Sequence, residues 1–359
     1  MSSGKATASA PANIAFVKYW GARDPARALP LAPSISMTLE RCRSRTTVVP
    51  LPASRAGDAD EVLRRGPRGE LEPAPERFAA RVWRHLDALR DWAAGGEGAG
   101  AARPRFRVAT ENSFPAAAGL ASSASGFAAL ATAVAAALGR DPLGDPGRGG
   151  LGRAELSSLA RRSGSGSAAR SVLGGYVEWP SEAAGGDDDD PRAAEIAPAA
   201  HWLLADVIAL VEEAPKTVSS LDGHRLAPTS PHFARRLAEL PGRLDEVRAA
   251  IRERDLGRLG PVLEEEAVEL HLIAMTSRPP IFYWRPGTLA VLEEVRAVRA
   301  PGSGLAAWAT MDAGANLHVV CPAEEAGEVA ARLARLPEVR SVIEDRVGDG
   351  PALHDEHLI

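Results

Sequence analysis

The sequence predicts an α+β protein of two halves with a cleft between them. At 359 residues it has length for about two domains. The first half opens with β-rich stretches (IAFV, SISMTL, RTTVVPL) and then gives an alanine-rich helix preceded by glycine and serine. The second half mixes strands and helices in β-α-β order. Between them lies the acidic run Asp187–Asp190, flanked by Gly185, Gly186 and Pro191, which reads as a solvated loop and a domain boundary. The expected division is 1–186, 187–345 and a tail at 346–359.

In order along the chain, residues 5–17 and 34–51 read as strands, with turns around Arg23–Pro33. Arg77 to Trp92 has helical spacing, with Phe78, Val82, Leu86 and Leu89 on one face. Ala93–Arg103 is a glycine- and alanine-rich loop, and Arg105–Thr110 a short strand. A helix runs from Ser122 to about Leu138 and ends at Gly139. Gly144–Gly152 is a loose loop, followed by a helix over 153–162 and a strand at 175–179. The second half gives a strand at 205–211, helices at 231–252, 255–275 and 287–299, and strands at 305–311 and 317–321. A helix over 323–336 and a strand at 339–343 close it. The tail, 348–359, is expected to be disordered or lightly docked.

Composition narrows the function. A net charge of −5 gives no reason to expect nucleic acid or an anionic membrane as partner. No apolar run approaches a membrane span, and MSSGKATASA lacks the apolar core of an export signal. Two cysteines, Cys42 and Cys321, are too few for a disulfide framework, so a reducing cytoplasm is expected. Of the 42 basic residues only Lys5, Lys18 and Lys216 are lysines. Against an arginine background, a lysine marks a place where a compact ammonium is preferred to a planar guanidinium, and Lys18 and Lys216 are the two worth following.

Four segments carry chemistry. Pro115–Gly126 (PAAAGLASSASG) stands between a strand and a helix, where small residues, free N–H groups and the helix dipole suit an anion, although such turns also serve as plain helix caps. Ser122, Ser123 and Ser125 add hydroxyls. It has neither the lysine of a Walker loop nor dinucleotide-fingerprint spacing. Ser163–Ser171 (SGSGSAARS) has the same character with Arg170 added, so a ligand with more than one anionic group is expected. In TMDAGAN (310–316), Asp312 falls at a strand end, placed either to enter the cleft or to lie on a surface turn. In PANIAFVKYWG (11–21) a strand ends in Lys18, Tyr19 and Trp20.

Taken together, ANIAFVKYWG (12–21), SISMTL (34–39), NSFPAAAGLASSASGFAAL (112–130), GSGSAARSVLGGYVEW (164–179), KTVSSLDG (216–223), PPIFYW (279–284) and TMDAGAN (310–316) resemble the diphosphomevalonate decarboxylases of the GHMP kinase superfamily. They are collinear from the start to about residue 343. The resemblance implies a ribosomal S5 domain 2-like first half, a ferredoxin-like second half and a cleft site between them. It implies ATP with Mg²⁺, a phosphorylated mevalonate as substrate, and a homodimer. It places Ser123, with Gly119, Ser122 and Ser125, at the ATP phosphates, and Asp312 beside the C3 hydroxyl. Arg170 holds the substrate carboxylate with Asn13 and Lys18 nearby. Ser165, Ser167, Tyr19, Ser219 and Arg77 face the substrate phosphates.

Departures bear on the substrate. The family's KYWGK reads Lys18-Tyr-Trp-Gly-Ala22 here, so an ammonium that helps to bind the diphosphate is missing, and Arg23 is the first candidate to replace it. The family's PTN reads Pro30-Leu-Ala32. Both changes lie at the expected phosphate end. The expectation is conversion of mevalonate 5-diphosphate to isopentenyl diphosphate, with decarboxylation of mevalonate 5-phosphate, or a kinase that stops at phosphorylation, as alternatives.

Overall fold

A computed structural model describes residues 4–51, 59–66, 68–95, 104–115, 122–214, 218–300, 302 and 304–359. Two long strands organise the first sheet. β1 (Ala6–Val17) and, beyond a hairpin of β2 (Ala22–Asp24) and β3 (Leu29–Pro30), β4 (Ser34–Leu51) pair antiparallel. Their register shifts between Pro11 and Asn13 and again between Ala15 and Val17. Such irregularities bend a strand and re-aim its side chains, and these two bracket Asn13 and the approach to Lys18. β5 (Glu61–Arg65), β6 (Leu71–Pro73) and β7 (Arg105–Asn112) extend the sheet along the second part of β4. The first part of β4 pairs instead with β8 (Tyr176–Trp179), and β8 with β9 (Ala194–Ala197).

Against this sheet packs α2 (Ser122–Ala137), and α1 (Glu76–Ala93) and α3 (Arg153–Arg161) pack beside α2 in the same core. Half of α2 is alanine, the strongest helix former, and Ala124, Ala128, Ala131 and Val134 are fully buried. In α1 the buried stripe is Ala79, Val82, Leu86 and Leu89; Phe78, expected there, is 39% exposed, so the inward face lies one residue later.

The second sheet, in the order β11-β12-β10-β13, is antiparallel throughout: β10 (Leu204–Leu210), β11 (Trp308–Thr310), β12 (Leu317–Pro322) and β13 (Ser341–Arg346). Helices α4 (Ser220–Leu226), α5 (Phe233–Glu253), α6 (Leu256–Thr276), α7 (Pro286–Val298) and α8 (Ala326–Leu333) accompany it. Ile14, Phe16, Ile35 and Met37 of the first sheet share one core with Ile208, Leu244, Val247 and Leu263 of the second half. That common core holds the end of β1 against α6.

Three regions differ from the sequence reading. β9 lies beyond the acidic run yet still pairs with β8, so the first sheet continues past residue 187. The loop at 144–152 contains a short 3₁₀ turn, Pro146–Arg148, capped by Asp145. The tail is anchored: β14 (Ala352–His354) pairs with β1, matching Thr7 to His354 and Ser9 to Ala352. Backbone pairing, which leaves no periodic trace in three residues, is the reason the sequence did not reveal it.

Candidate active site

Lys18 leaves the end of β1 as a fully buried side chain. Its Nζ donates to Asp312 Oδ1 at 3.0 Å and to the Ala15 carbonyl at 2.6 Å. The backbone on either side of it is clamped. Glu266 of α6 accepts the Lys18 N–H at 2.8 Å, while Arg236 of α5 donates to the Lys18 carbonyl at 2.9 Å and to Glu266 at 2.8 Å. A buried carboxylate needs such partners to offset its lost hydration. Burial lowers the pKa of Lys18, with Asp312 and Glu266 opposing.

Asp312 sits just beyond β11 with its side chain one-third exposed (33%), so the carboxylate meets both Lys18 and solvent. Burial pushes this carboxyl up, but Lys18, His318 and Arg170 outweigh it and hold it below the ordinary carboxylate value. Its backbone is fixed too. His271 Nε2 donates to the Asp312 carbonyl at 3.1 Å, and burial pushes His271 down to about 3, which keeps the ring neutral. Asn316 closes the TMDAGAN turn by accepting the N–H groups of Val211 and Glu212 at 2.8 and 2.9 Å.

Arg170 lies in the 3₁₀ segment Gly166–Val172 and is buried. Nε donates to Ser36 Oγ at 2.9 Å, Nη2 to Asn13 Oδ1 at 3.2 Å, and Nη1 to Ser34 Oγ. Among the described residues these bonds engage three of its five N–H donors. Burial pushes its pKa down to about 10, against the pull of Asp312, so it stays cationic at neutral pH. Asn13 is oriented in turn by Ser171 Oγ at 2.8 Å and the Ser167 carbonyl at 3.2 Å. Ser165 and Ser167 share a hydroxyl contact at 3.2 Å.

Tyr19 packs edge-on against Trp179 (5.2 Å between centroids) and against His224 of α4 (4.2 Å). A Cβ at Gly166 would stand 2.6 Å from both Tyr19 and Trp179, so glycine lets the serine turn approach the aromatic pair. Gly21 has φ +88°, accommodates the Phe233 ring 2.4 Å from where a Cβ would be, and donates its N–H to His224 Nδ1. Gly21→Ala is therefore expected to destabilise the fold by about 1–3 kcal/mol. A thermal melt of the purified variant checks this; an unchanged midpoint contradicts it.

The structure thus brings together Lys18, Asp312, Arg170 and Asn13, with Tyr19, Ser165 and Ser167 beside them. Other expected residues stand apart. Ser125 is fully buried and bonds Ser44 Oγ at 2.7 Å, so it ties α2 to β4. Ser123 is half-buried on the first turn of α2; Gly119 and the Ser122 side chain lie outside the described residues, as does Lys216. Ser219 caps α4 and donates to Asp222 at 2.6 Å. Arg77 is exposed on the first turn of α1, and among the described residues no hydrogen bond or ion pair joins it to the cluster. Glu266, Arg236, His271, His224, Ser34 and Ser36 were missed. Glu266 left one signal: a carboxylate on the apolar stripe of Leu259, Leu263, Leu270 and Ile273.

Two packed α+β halves, with a buried ammonium paired to a solvent-reaching carboxylate between them, have the GHMP kinase fold. A diphosphomevalonate decarboxylase-like N-terminal domain matches residues 10–191, and a mevalonate 5-diphosphate decarboxylase C-terminal domain matches residues 206–354. The chain belongs to the diphosphomevalonate decarboxylase family. The diphosphomevalonate decarboxylase of Aspergillus fumigatus is 36% identical over 340 residues, spanning 91% of this chain and 79% of that protein. The human enzyme is 31% identical over 396 residues, spanning 98% and 95%. Among solved structures, MDDEF in complex with MVAPP, AMPPCP and magnesium is similar with a TM-score of 0.82 and 33% identity, covering 98% of this chain and 99% of that one. The mevalonate diphosphate decarboxylase of Staphylococcus aureus has a TM-score of 0.82 at 30% identity, covering 98% of each.

Proposed function

We infer that the chain catalyses ATP-dependent decarboxylation of mevalonate 5-diphosphate, giving isopentenyl diphosphate, ADP, phosphate and CO₂. The observation that carries this reading is the solvent-reaching Asp312 carboxylate paired with Lys18, with Arg170 close enough to add its charge. Relatives that bind MVAPP with AMPPCP and magnesium support it. Asp312 accepts the proton of the C3 hydroxyl while that oxygen takes the γ-phosphoryl group of ATP. Mg²⁺ supplies charge neutralisation at the nucleotide phosphates, and the start of α2, with Ser123, fits their anionic oxygens. Arg170 orients the C1 carboxylate. The C3–O bond then breaks with loss of phosphate; the C1–C2 bond electrons form the C2–C3 double bond, and CO₂ leaves. Tyr19, Ser165 and Ser167 bind the phosphate end. The free, buried thiols of Cys42 and Cys321 fit a reducing cytoplasm, and among the described residues no helix is long and apolar enough to cross a membrane. A homodimer is the assembly we propose; light scattering of the purified protein tests it.

A second reading, decarboxylation of mevalonate 5-phosphate, is favoured by Ala22 at the start of β2 and by the engagement of Arg23 with Asp188 and Asp189. Measuring ADP and CO₂ release from both mevalonate phosphates separates the readings, and ADP without CO₂ identifies a simple kinase. Ala22→Lys is expected to raise kcat/KM on the diphosphate about ten- to a hundredfold, the worth of one charge-assisted contact. The monophosphate rate should change little, and an equal effect on both substrates removes position 22 from phosphate recognition.

A further inference from the structure

The acidic run at 187–190 has no part in the chemistry above, yet it is joined to Arg23 and Arg27 of the loop that follows Gly21. One end is rooted. Asp190 accepts from Ser158, from Arg161 Nη2 at 3.2 Å and from Arg192 at 2.9 Å. Asp187 Oδ1 takes the N–H groups of Asp189 and Asp190, both at 2.8 Å, and so shapes the turn. The middle of the run is exposed. Asp188 and Asp189 are 97% and 73% exposed, and reach Arg23 at 3.8 and 3.7 Å and Arg27 at 3.3 Å. Arg23 also donates to the Asp188 carbonyl.

The arginines so held belong to the loop that leaves the Lys18–Gly21 segment. Arg161, from the end of α3, donates to the Arg27 carbonyl at 2.6 Å, and its charge reaches the Tyr19 phenol. Ala26 O lies 3.5 Å from where a Cβ would stand on Gly164, the neighbour of Ser165. The backbone of the loop is thus packed beside the serine turn.

We propose that Asp188 and Asp189 are an internal counter-anion for Arg23 and Arg27, and that these arginines transfer to the distal phosphate of the substrate when it binds. The proposal rests on the decarboxylase reading above. Exchange costs little: exposed pairs of this kind shift an equilibrium by only about 1.4- to 5-fold each. A diphosphate offers more charge and a bidentate match to the guanidinium, worth about tenfold or more. The rooted Asp190 keeps the run in place, so the arginines stay aligned in the free protein and are recaptured after product leaves.

The test measures binding of inorganic pyrophosphate and inorganic phosphate by calorimetry under saturating ADP, and kcat/KM for both mevalonate phosphates. The wild type is compared with the Asp188→Asn/Asp189→Asn double variant and with Arg23→Gln. The double variant should bind pyrophosphate and use the diphosphate about two- to tenfold better, with monophosphate values unchanged within twofold. Arg23→Gln should be about tenfold worse on the diphosphate and pyrophosphate alone. Weaker pyrophosphate binding by the double variant would mean that the run is a brace, and overturns the proposal, as does an equal change for one and two phosphates. If neither mevalonate phosphate is turned over, the decarboxylase reading fails, while the pyrophosphate data still decide whether the run competes for the arginines.

Discussion

Asp312→Asn is expected to lower turnover at least about a hundredfold while leaving the fold and nucleotide binding intact. The amide keeps the shape of the side chain and an oxygen toward Lys18 Nζ, so the turn held by His271 and Asn316 need not change. What goes is the negative charge that we propose accepts the hydroxyl proton. In the wild type the depressed pKa of Asp312 means that the carboxylate stays ionised at neutral pH, and kcat/KM declines only as pH falls through that depressed value. Lys18→Met, which removes the cation opposing burial, should move that acid limb to higher pH. Near-normal turnover by Asp312→Asn, with an unchanged melt, would assign the base to another group.

Arg170→Gln is the second large effect. The guanidinium is buried among Asn13, Ser34 and Ser36, and a carboxamide retains at most part of that network. A ligand carboxylate entering the site would lose a charged fork, at about 1.5–3 kcal/mol, roughly ten- to a hundredfold in kcat/KM. The loss should fall on the mevalonate substrate and on CO₂ release, with the KM for ATP changed by less than about threefold. A variant that decarboxylates normally but binds ATP poorly would place Arg170 at the nucleotide.

Legibility in the sequence followed the range of the interactions. β1 and β4 advertise their apolar, β-branched runs, and α1, α2, α5, α6 and α7 their helical spacing, because each pattern lies within one short window. Phe78 misled by one residue because two phases of the α1 stripe compete and only packing into the shared core beside α2 selects Ala79. α4 is seven residues long and is held by His224 against the Tyr19 and Trp20 rings, contacts invisible locally. The side chains that the structure brings together, Lys18, Asp312, Arg170 and Asn13, were legible because strand ends and small-residue turns carry them in compact motifs. Their supports were not: Glu266 meets Lys18 across 248 positions, and His271 meets Asp312 across 41.

The pairing of β14 with β1 has a bearing on biosynthesis. Thr7 is translated long before its partner His354. Meanwhile the edge of β1 that β14 covers stays open, with unpaired N–H and C=O groups ready to accept a strand from another nascent chain. Arg43, by holding the carbonyls of Asp349 and Gly350, and Thr47, by accepting the Leu358 N–H, give the late segment side-chain anchors beside its three-residue ladder. Completion of the first sheet therefore waits for a segment translated long after β1, and until then that edge is open to misassembly.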